Sequence, residues 1–274
     1  MKSIPRIIVG CLMLISGSTF FAADPEEIAR EILDASTAED RRAFLIREHL
    51  GHAPELIRAM TKDLGPGDEE YRRIPNIWRV AISAGRRDET SVLRRLLEIS
   101  LPKENESLRD WQAVVLGGGI INGWSLEGKW PKERLDELVR DEPQLQQRWQ
   151  SALAEAHRMA DDKNVPTGTR YDALRMIALD TWDRGGKHIL QYLGRSTHAE
   201  LQMGAVSGLG DMDCPEAATA LIQALKDLTN DNRRLAIDCL LRTTERKQML
   251  REGIDKGIVS ADWLSDAQRN ALKP

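Results

Sequence analysis

An apolar pattern recurs every 31 or 32 residues in the C-terminal part of this chain. Its register is marked by Ala173, Ala205 and Ala236, and each alanine is followed at the third and fourth positions by a small or apolar pair. A second register runs through Leu190, Ile222 and Ile254. Residues three and four positions apart share one face of an α-helix, so each repeat is predicted to contain two amphipathic helices. Repeats that each pack on the next are typical of an α-solenoid.

The rest of the chain also divides into helices separated by turns. A proline directly after Asp24 is a typical helix start, and Ser265-x-x-Gln268 has the form of a capping box. Pro75 obscures the start of the helix predicted over 71–85. The apolar and polar alternation that marks strands is hardly found. The sequence therefore predicts an all-α fold of stacked antiparallel helix pairs.

Four regions are expected from these patterns. Residues 1–23 are a signal peptide, 24–162 an irregular helical-repeat region, 163–257 the regular repeats, and 258–274 a closing helix. A closing helix is expected because the last unit of a solenoid must cover its outer apolar face.

The first 23 residues have the order of a secretory signal peptide. Two basic residues precede an apolar run over 7–15, and small residues lead to an expected cleavage near Ala22 or Ala23. An uncleaved membrane anchor is the alternative, because the stretch approaches the roughly 17 residues that a spanning helix needs. Lipid attachment at Cys11 fits less well, since the apolar run continues beyond this cysteine to residue 15. We predict a periplasmic or secreted location, with no membrane contact once the signal is removed.

The charge of the chain disfavours nucleic acid as a partner. Removal of Lys2 and Arg6 with the signal leaves 39 − 2 = 37 basic against 43 acidic residues, a net charge of 37 − 43 = −6. A surface that follows phosphates needs an excess of basic residues. Another protein is the better expectation.

Two cysteines remain after processing, and they lie in adjacent repeats. In an oxidising compartment Cys214 and Cys239 could form a disulfide. The other interpretation is that Cys239 is a small core residue, at the position that Gly208 occupies in the preceding repeat.

A glycine-rich stretch from Gly117 to Trp124 is the most conspicuous motif outside the repeats. It lacks the last glycine of a dinucleotide fingerprint, and no strand precedes it. We predict close helix packing followed by a sharp exit, which places Trp124 and Trp130 in a joint between helices. A ligand groove lined by these two residues and Trp111 is the alternative.

Signatures of catalysis, cofactors and metals are lacking. His49 and His52, with the adjacent Glu48, could suggest a metal pair, but no second cluster completes four ligands. The sequence contains no Cys-x-x-Cys-His haem motif, no Gly-x-Ser-x-Gly and no His-Glu-x-x-His. We therefore predict no catalytic residue, no cofactor and no metal.

Two arginines occupy equivalent positions in the repeats. Arg170 and Arg233 each lie three residues before a register alanine, so they could form a ladder along one face. The alternative is pairing with aspartates of neighbouring units, worth only about 0–1 kcal/mol for each exposed pair.

The repeat segments that begin at Arg170, Leu201 and Arg234 resemble HEAT repeats, in the short form of phycobilisome-lyase-type HEAT proteins. The stretch from Trp111 to the C-terminus is also similar to the helical region of large exported bacterial proteins known as membrane-bound dehydrogenases. The resemblance implies an armadillo-like helical fold. It implies no activity, because the redox chemistry of those larger proteins resides in domains that this chain lacks.

Three functions are compatible with these patterns. The first is an exported, non-enzymatic scaffold that binds another exported or envelope protein, with an interaction surface that includes Trp111, Trp124, Trp130, Arg170 and Arg233. The second is an enzyme, or the accessory subunit of an exported enzyme such as a redox enzyme, with its site in the Gly117–Trp130 region. The third is carbohydrate or polymer binding by exposed tryptophans.

Overall fold

The computed structural model describes residues 24–273, and within this range the chain is built from helices joined by turns, with no β-strand. The predicted all-α class is therefore confirmed. The predicted signal peptide, residues 1–23, lies outside the described residues.

The helices follow one another with short connections. The first part contains α1 (Pro25–Leu33), α2 (Glu39–Glu48), α3 (Ala53–Thr61), α4 (Asp68–Arg87) and α5 (Thr90–Ser100). A composite helix follows, made of α6 (Asp110–Ala113), a first π-helical segment (Val114–Ile121) and α7 (Asn122–Leu126). Next come α8 (Pro131–Val139), α9 (Pro143–Asp161), α10 (Thr167–Ile177), a second π-helical segment (Trp182–Gly186) and α11 (Lys187–Ile189). The last part contains α12 (Ala199–Asp211), α13 (Pro215–Ala224), α14 (Asn230–Leu240), α15 (Thr244–Asp255) and α16 (Asp266–Leu272).

Two series of helices pack side by side. In one series α4 contacts the first π-helical segment, that segment contacts α10, α10 contacts α12, and α12 contacts α14. In the other, α3 contacts α5, α5 contacts α8, and α13 contacts α15. Apolar side chains from both series form one continuous core. Helices close in sequence are therefore also neighbours in space.

The register alanines mark the contacts between α10, α12 and α14. Ala173, Ala205 and Ala236 are completely buried. Gly208 lets α12 approach α10 closely, because a Cβ at this glycine would lie 3.1 Å from the Cβ of Ala178. A short turn follows α12, since the helix ends at Asp211 and α13 begins with Pro215. The apolar period thus predicted which helices pack together.

The first repeat departs from the predicted pattern. Two amphipathic helices were predicted in each repeat, but here residues 184–186 belong to the second π-helical segment, and α11 is only three residues long. Gly185 permits this path because it packs directly on the carbonyl of Ile177. Leu190, expected in the second apolar register, is consequently half exposed.

Helix α4 continues through Pro75 without a break. Proline has no backbone N–H, so the carbonyl of Tyr71, four residues earlier, lacks its usual helical donor. Glu70, in the same helix, is buried and accepts hydrogen bonds from the backbone N–H of Trp111 at 3.0 Å and from Arg109 at 3.4 Å. This carboxylate joins α4 to the start of α6 and so fixes the position of the first π-helical segment.

The predicted closing helix is present as α16. Ser265 and Gln268 form the expected capping box, with bonds of 3.0 and 3.2 Å. Gln268 also donates to the carboxylate of Asp238 in α14 at 2.8 Å. Helix α16 is therefore hydrogen-bonded to α14, the last helix of the first series.

Candidate functional site

The glycine-rich motif lies inside the composite helix rather than at its end. The predicted sharp exit is wrong, because the chain continues from the first π-helical segment directly into α7. The predicted close packing is confirmed. Gly117 packs on the backbone carbonyl of Asp172, and Gly119 packs on Ala81, so a Cβ at either glycine would collide with its neighbour. Short π-helical segments inside α-helices are frequent at functional sites.

An open pocket of about 480 Å³ lies over this segment, between α4, α10 and α12. Its lining is mainly aromatic and apolar, and the composite helix contributes Val114 and Asn122. The other lining residues are Tyr71, Ile74, Pro75, Trp78, Pro166, Gly168, Thr169, Tyr171, Asp172, Glu200 and Met203. The volume lies within the range of about 300–1,000 Å³ that is usual for ligand sites.

Three large side chains of this pocket are exposed to solvent. Trp78 is 39% exposed, and Tyr71 and Met203 are exposed to a similar extent. The indole N–H of Trp78 donates to the carbonyl of Gly118 at 2.8 Å, which holds the ring against the first π-helical segment. Aromatic side chains with a fixed polar end and an open face are enriched where proteins bind partners.

Tyr71 is fixed from the other side of the pocket. Its hydroxyl donates to the carboxylate of Asp110 at 2.5 Å. Burial of the hydroxyl and this hydrogen bond raise the pKa of Tyr71, so the ring stays neutral at physiological pH. The side chains of Trp78 and Tyr71 are therefore both fixed by hydrogen bonds before a ligand binds.

Asp172 is the unusual residue of the pocket. It is only 7% exposed, yet its carboxylate accepts no hydrogen bond from any residue in 24–273. Its Oδ1 occupies the space that a Cβ of Gly118 would fill. Burial raises the pKa of Asp172 well above its usual range, and nearby Glu200 raises it further, while Arg175 opposes the shift. The Asp172 oxygens reach solvent through the open pocket, and ionisable groups with shifted pKa values are frequent at functional sites.

The pocket carries acidic charge only. Asp172 and Glu200 contribute carboxyl groups, and none of the described lining residues is a lysine, arginine or histidine. Asn122 adds a neutral amide. The arrangement can therefore hold a positively charged or hydrogen-bond-donating group against aromatic walls.

A second buried carboxylate, Asp211, lies at the C-terminal end of α12 and is fully paired. Its Oδ2 is 2.7 Å from Arg175 and accepts a hydrogen bond from Ser125 at 2.6 Å. Its Oδ1 is 2.9 Å from Arg242, which also lies over the ring of Trp130 at 4.1 Å from its centroid. This Asp211 cluster joins α7, α10, α12 and the turn between α14 and α15.

The three predicted tryptophans are separated in the structure, and none of them lines the pocket. Trp124 is completely buried and donates to Asp88 at 2.9 Å, while Trp111 is buried near the start of the composite helix. Trp130 lies in the predicted joint between helices, under Arg242 and Arg246. The side chains of Trp111 and Trp124 contribute to the core, so the accessible surface near the motif is the pocket described above.

The two predicted arginines bind backbone carbonyls of the preceding helix. Arg170 donates to Ala160 at 2.7 Å, at the end of α9. Arg233 donates to Leu225 at 2.7 Å, directly after α13, and its guanidinium lies 4.7 Å from the centroid of the Trp263 ring. The first and third repeats thus use this arginine to satisfy carbonyls at or just after helix ends, which neither the ladder nor the aspartate pairing anticipated.

The structure shows no bond between Cys214, which is half-buried, and Cys239, which is buried. Burial raises the pKa of Cys239 to about 11 and also raises that of Cys214. Cys239 packs on Gly210 of α12, as expected for a small core residue. A disulfide between Cys214 and Cys239 stays a prediction.

Metal ligands are not assembled in the described part of the chain. No group of three or more histidine, cysteine, aspartate or glutamate side chains within 24–273 could hold an ion. His49 ends α2, and His52 ends the short 3₁₀ turn after it. Over the same range, no helix is both long and apolar enough to cross a membrane.

Comparisons with protein-family models, curated proteins and solved structures found no match to this chain. The resemblance to HEAT repeats therefore stays a prediction. Any functional conclusion has to come from the geometry of the pocket.

Sequence reasoning missed most of the pocket residues. Tyr71, Ile74, Pro75 and Trp78 belong to the helix predicted over 71–85, but no site was predicted on it. Helix α4 carries a second apolar stripe, through Ile77, Ala81 and Ala84, and this second stripe is the buried one. Two apolar stripes on one helix could have indicated that the stripe through Trp78 is exposed. Asp172 gave a weaker signal, as an acidic residue directly before a register alanine.

Proposed function

We propose that this chain is an exported α-solenoid of HEAT type that binds another exported or envelope protein and has no catalytic activity of its own. The succession of contacts from α4 to α14 supports the solenoid interpretation, because each helix of that series packs on the next. The basic, apolar and small residues of positions 1–23 support export.

The observation that carries the binding function is the aromatic pocket across α4, α10 and α12. Trp78, Tyr71 and Met203 are large and exposed and line the same pocket, whereas the core contact of α4 is made by its other face, through Ile77 and Ala81. Exposed apolar surface of this kind is typical of partner sites, and tryptophan and tyrosine supply much of the binding energy there.

Site-specific photo-crosslinking in the native envelope tests this proposal. A photoreactive residue replaces Met203 in the pocket or, as the matched control, Gln248, which is exposed on α15. We expect one discrete crosslinked species from position 203 and none from position 248. Crosslinking from neither position, or equally from both, would contradict the proposed binding face.

Export is tested separately by N-terminal sequencing of the protein isolated from cells. We expect the mature chain to begin at Ala23 or Asp24. A chain that retains residues 1–23 in the membrane fraction would instead support the anchor interpretation.

One observation favours the second candidate function, an enzyme or an accessory subunit of one. Asp172 combines burial, a raised pKa and an open pocket, as general acids do. The scaffold is preferred because the pocket offers no serine, cysteine or histidine to act with this carboxyl. Turnover of any substrate that Asp172→Asn abolishes would reverse this preference.

A further inference from the structure

We propose that the pocket over the first π-helical segment receives a basic side chain, lysine or arginine, from the bound partner protein. The inference rests on the proposed function, since it specifies the chemistry of the partner at the same site. On binding, the Asp172 carboxyl releases its proton to solvent, and the cation lies between Asp172, Glu200 and the faces of Trp78 and Tyr71.

Two other carboxylates of this chain, those of Asp88 and Asp211, each have both a tryptophan and basic side chains nearby. Asp88 accepts a hydrogen bond from the indole of Trp124 and is paired with Lys129 and with Arg134, the latter at 2.8 Å. In both the Asp88 site and the Asp211 cluster, two basic side chains of the chain itself neutralise a carboxylate beside a tryptophan. The chain thus uses the same combination twice within its own fold.

The Asp172 pocket has the carboxylate and the tryptophan but lacks the cation. Gly118 connects the two, because its carbonyl accepts the indole N–H of Trp78 and its missing Cβ leaves room for the Asp172 carboxylate. Within 24–273, no lysine or arginine forms an ion pair with Asp172, and none lies over the ring of Trp78. The two arginines of α10 are already engaged, because Arg175 is bound to Asp211 and Arg170 donates to the carbonyl of Ala160.

The physical chemistry of the pocket selects a cation with an apolar stem. A lysine or arginine side chain has methylene groups that can pack on Ile74 and Met203, while its charged end reaches the carboxylates. An ammonium or guanidinium group is also attracted to the face of an aromatic ring. A basic partner suits the acidic net charge of the chain, which favours encounter with positively charged proteins.

Nuclear magnetic resonance titration of the purified mature chain tests this inference directly. The probes are N-acetyl-arginine amide and N-acetyl-lysine amide, and their uncharged counterparts are N-acetyl-citrulline amide and N-acetyl-norleucine amide. The signal followed is the indole N–H of Trp78, which Trp78→Phe assigns. We expect the two cationic probes to shift this signal at millimolar concentration, with binding at least about tenfold weaker for the uncharged probes.

Two variants separate the roles of the pocket groups. Asp172→Asn keeps the shape of the side chain and should weaken binding of the cationic probes about tenfold. Glu245→Gln, an exposed change on α15, should leave binding unchanged. Equal binding of charged and uncharged probes would overturn the inference, as would unchanged binding by Asp172→Asn or the absence of any shift.

The crosslinking experiment distinguishes failure of this inference from failure of the proposed function. If the partner crosslinks at position 203 as strongly in Asp172→Asn as in the natural chain, the scaffold function stands and the cation site is refuted. If no partner crosslinks although the cationic probes bind, the cation site stands and the proposed protein partner is refuted.

Discussion

The Asp211 cluster and the Asp172 pocket place a buried carboxylate in two opposite situations. Asp211 is bound by Arg175, Arg242 and Ser125, so its charge is compensated on both oxygens. Asp172 lies one turn before Arg175 on the same helix, yet it receives no hydrogen bond within the described chain. The difference teaches that burial alone does not identify a functional carboxylate. What separates the two is whether the fold itself supplies the partner.

Among the changes that test this comparison, removal of the Asp211 carboxylate should have the largest effect on the free energy of unfolding. Asp211→Ala leaves Arg175 buried without its counter-charge, so we expect a loss of about 3–5 kcal/mol in the free energy of unfolding. Urea denaturation followed by circular dichroism measures it. Asp213→Ala, two positions away at an exposed site, should cost less than about 0.5 kcal/mol. Equal losses in the two variants would contradict the structural role of the cluster.

A methyl group at Gly117 should have the next largest effect. Gly117→Ala drives a Cβ into the backbone carbonyl of Asp172, which cannot move independently of α10, so we expect a loss of about 2–3 kcal/mol. Gly118→Ala meets only the Asp172 side chain, which can rotate, and should cost about 1 kcal/mol or less. Thermal unfolding of both variants checks the order, and the reverse order would show that the helices are not packed as described.

Asp172→Asn should change stability in the opposite direction from Asp211→Ala. Because the pKa of Asp172 is raised in the folded state, the folded chain holds this proton more tightly than the unfolded chain does. The stabilisation is complete below about pH 4 and is lost as the pH rises through the folded pKa. Glu200 adds to this loss, while Arg175 opposes it.

We therefore expect Asp172→Asn to match the natural chain near pH 4 and to be more stable by about 1 kcal/mol at pH 7. The urea midpoints of the variant and the natural chain are compared at each pH value. All other titrating groups are the same in both proteins, so their contributions cancel in the difference. A variant that is less stable at pH 7 would mean that Asp172 has a structural partner in the fold.

Trp78→Phe should have the smallest effect on stability. It removes one hydrogen bond, to Gly118, from a ring that is already exposed, so we expect a cost of about 0.5–1 kcal/mol. Trp149→Phe in α9 is the buried counterpart and should cost about 1–3 kcal/mol, because it leaves a cavity. Similar melting temperatures for both variants would mean that Trp78 is integrated in the core.

The sequence was sufficient for the helices and for the contacts of its regular part. The buried alanines at 173, 205 and 236 predicted that α10, α12 and α14 pack together, because a small residue at constant spacing is what close helix approach requires. The capping box at Ser265 was equally local. The capping box depends on residues within one turn of helix, and the alanine period recurs at a nearly constant spacing, so both can be recognised without the tertiary structure.

The pocket could not be predicted because it depends on residues far apart in sequence. Trp78 and Met203 are brought together only by the successive packing of α4, the first π-helical segment, α10 and α12. The π-helical geometry was also not visible from the sequence, since a glycine run is equally compatible with a turn. Asp172 gave no sign of lacking a partner until the neighbouring helices were placed.

The Asp211 cluster also affects how the chain folds. Most contacts connect neighbouring helices, whereas Arg242 donates at 3.0 Å to the carbonyl of Lys129, which is 113 residues earlier. Loops of that length close slowly, so this contact should form late, after the chain beyond α14 is available. A stack with only neighbour contacts can lose its end units one at a time. With this long-range clamp, we expect the segment from α7 to α15 to unfold in a single cooperative transition.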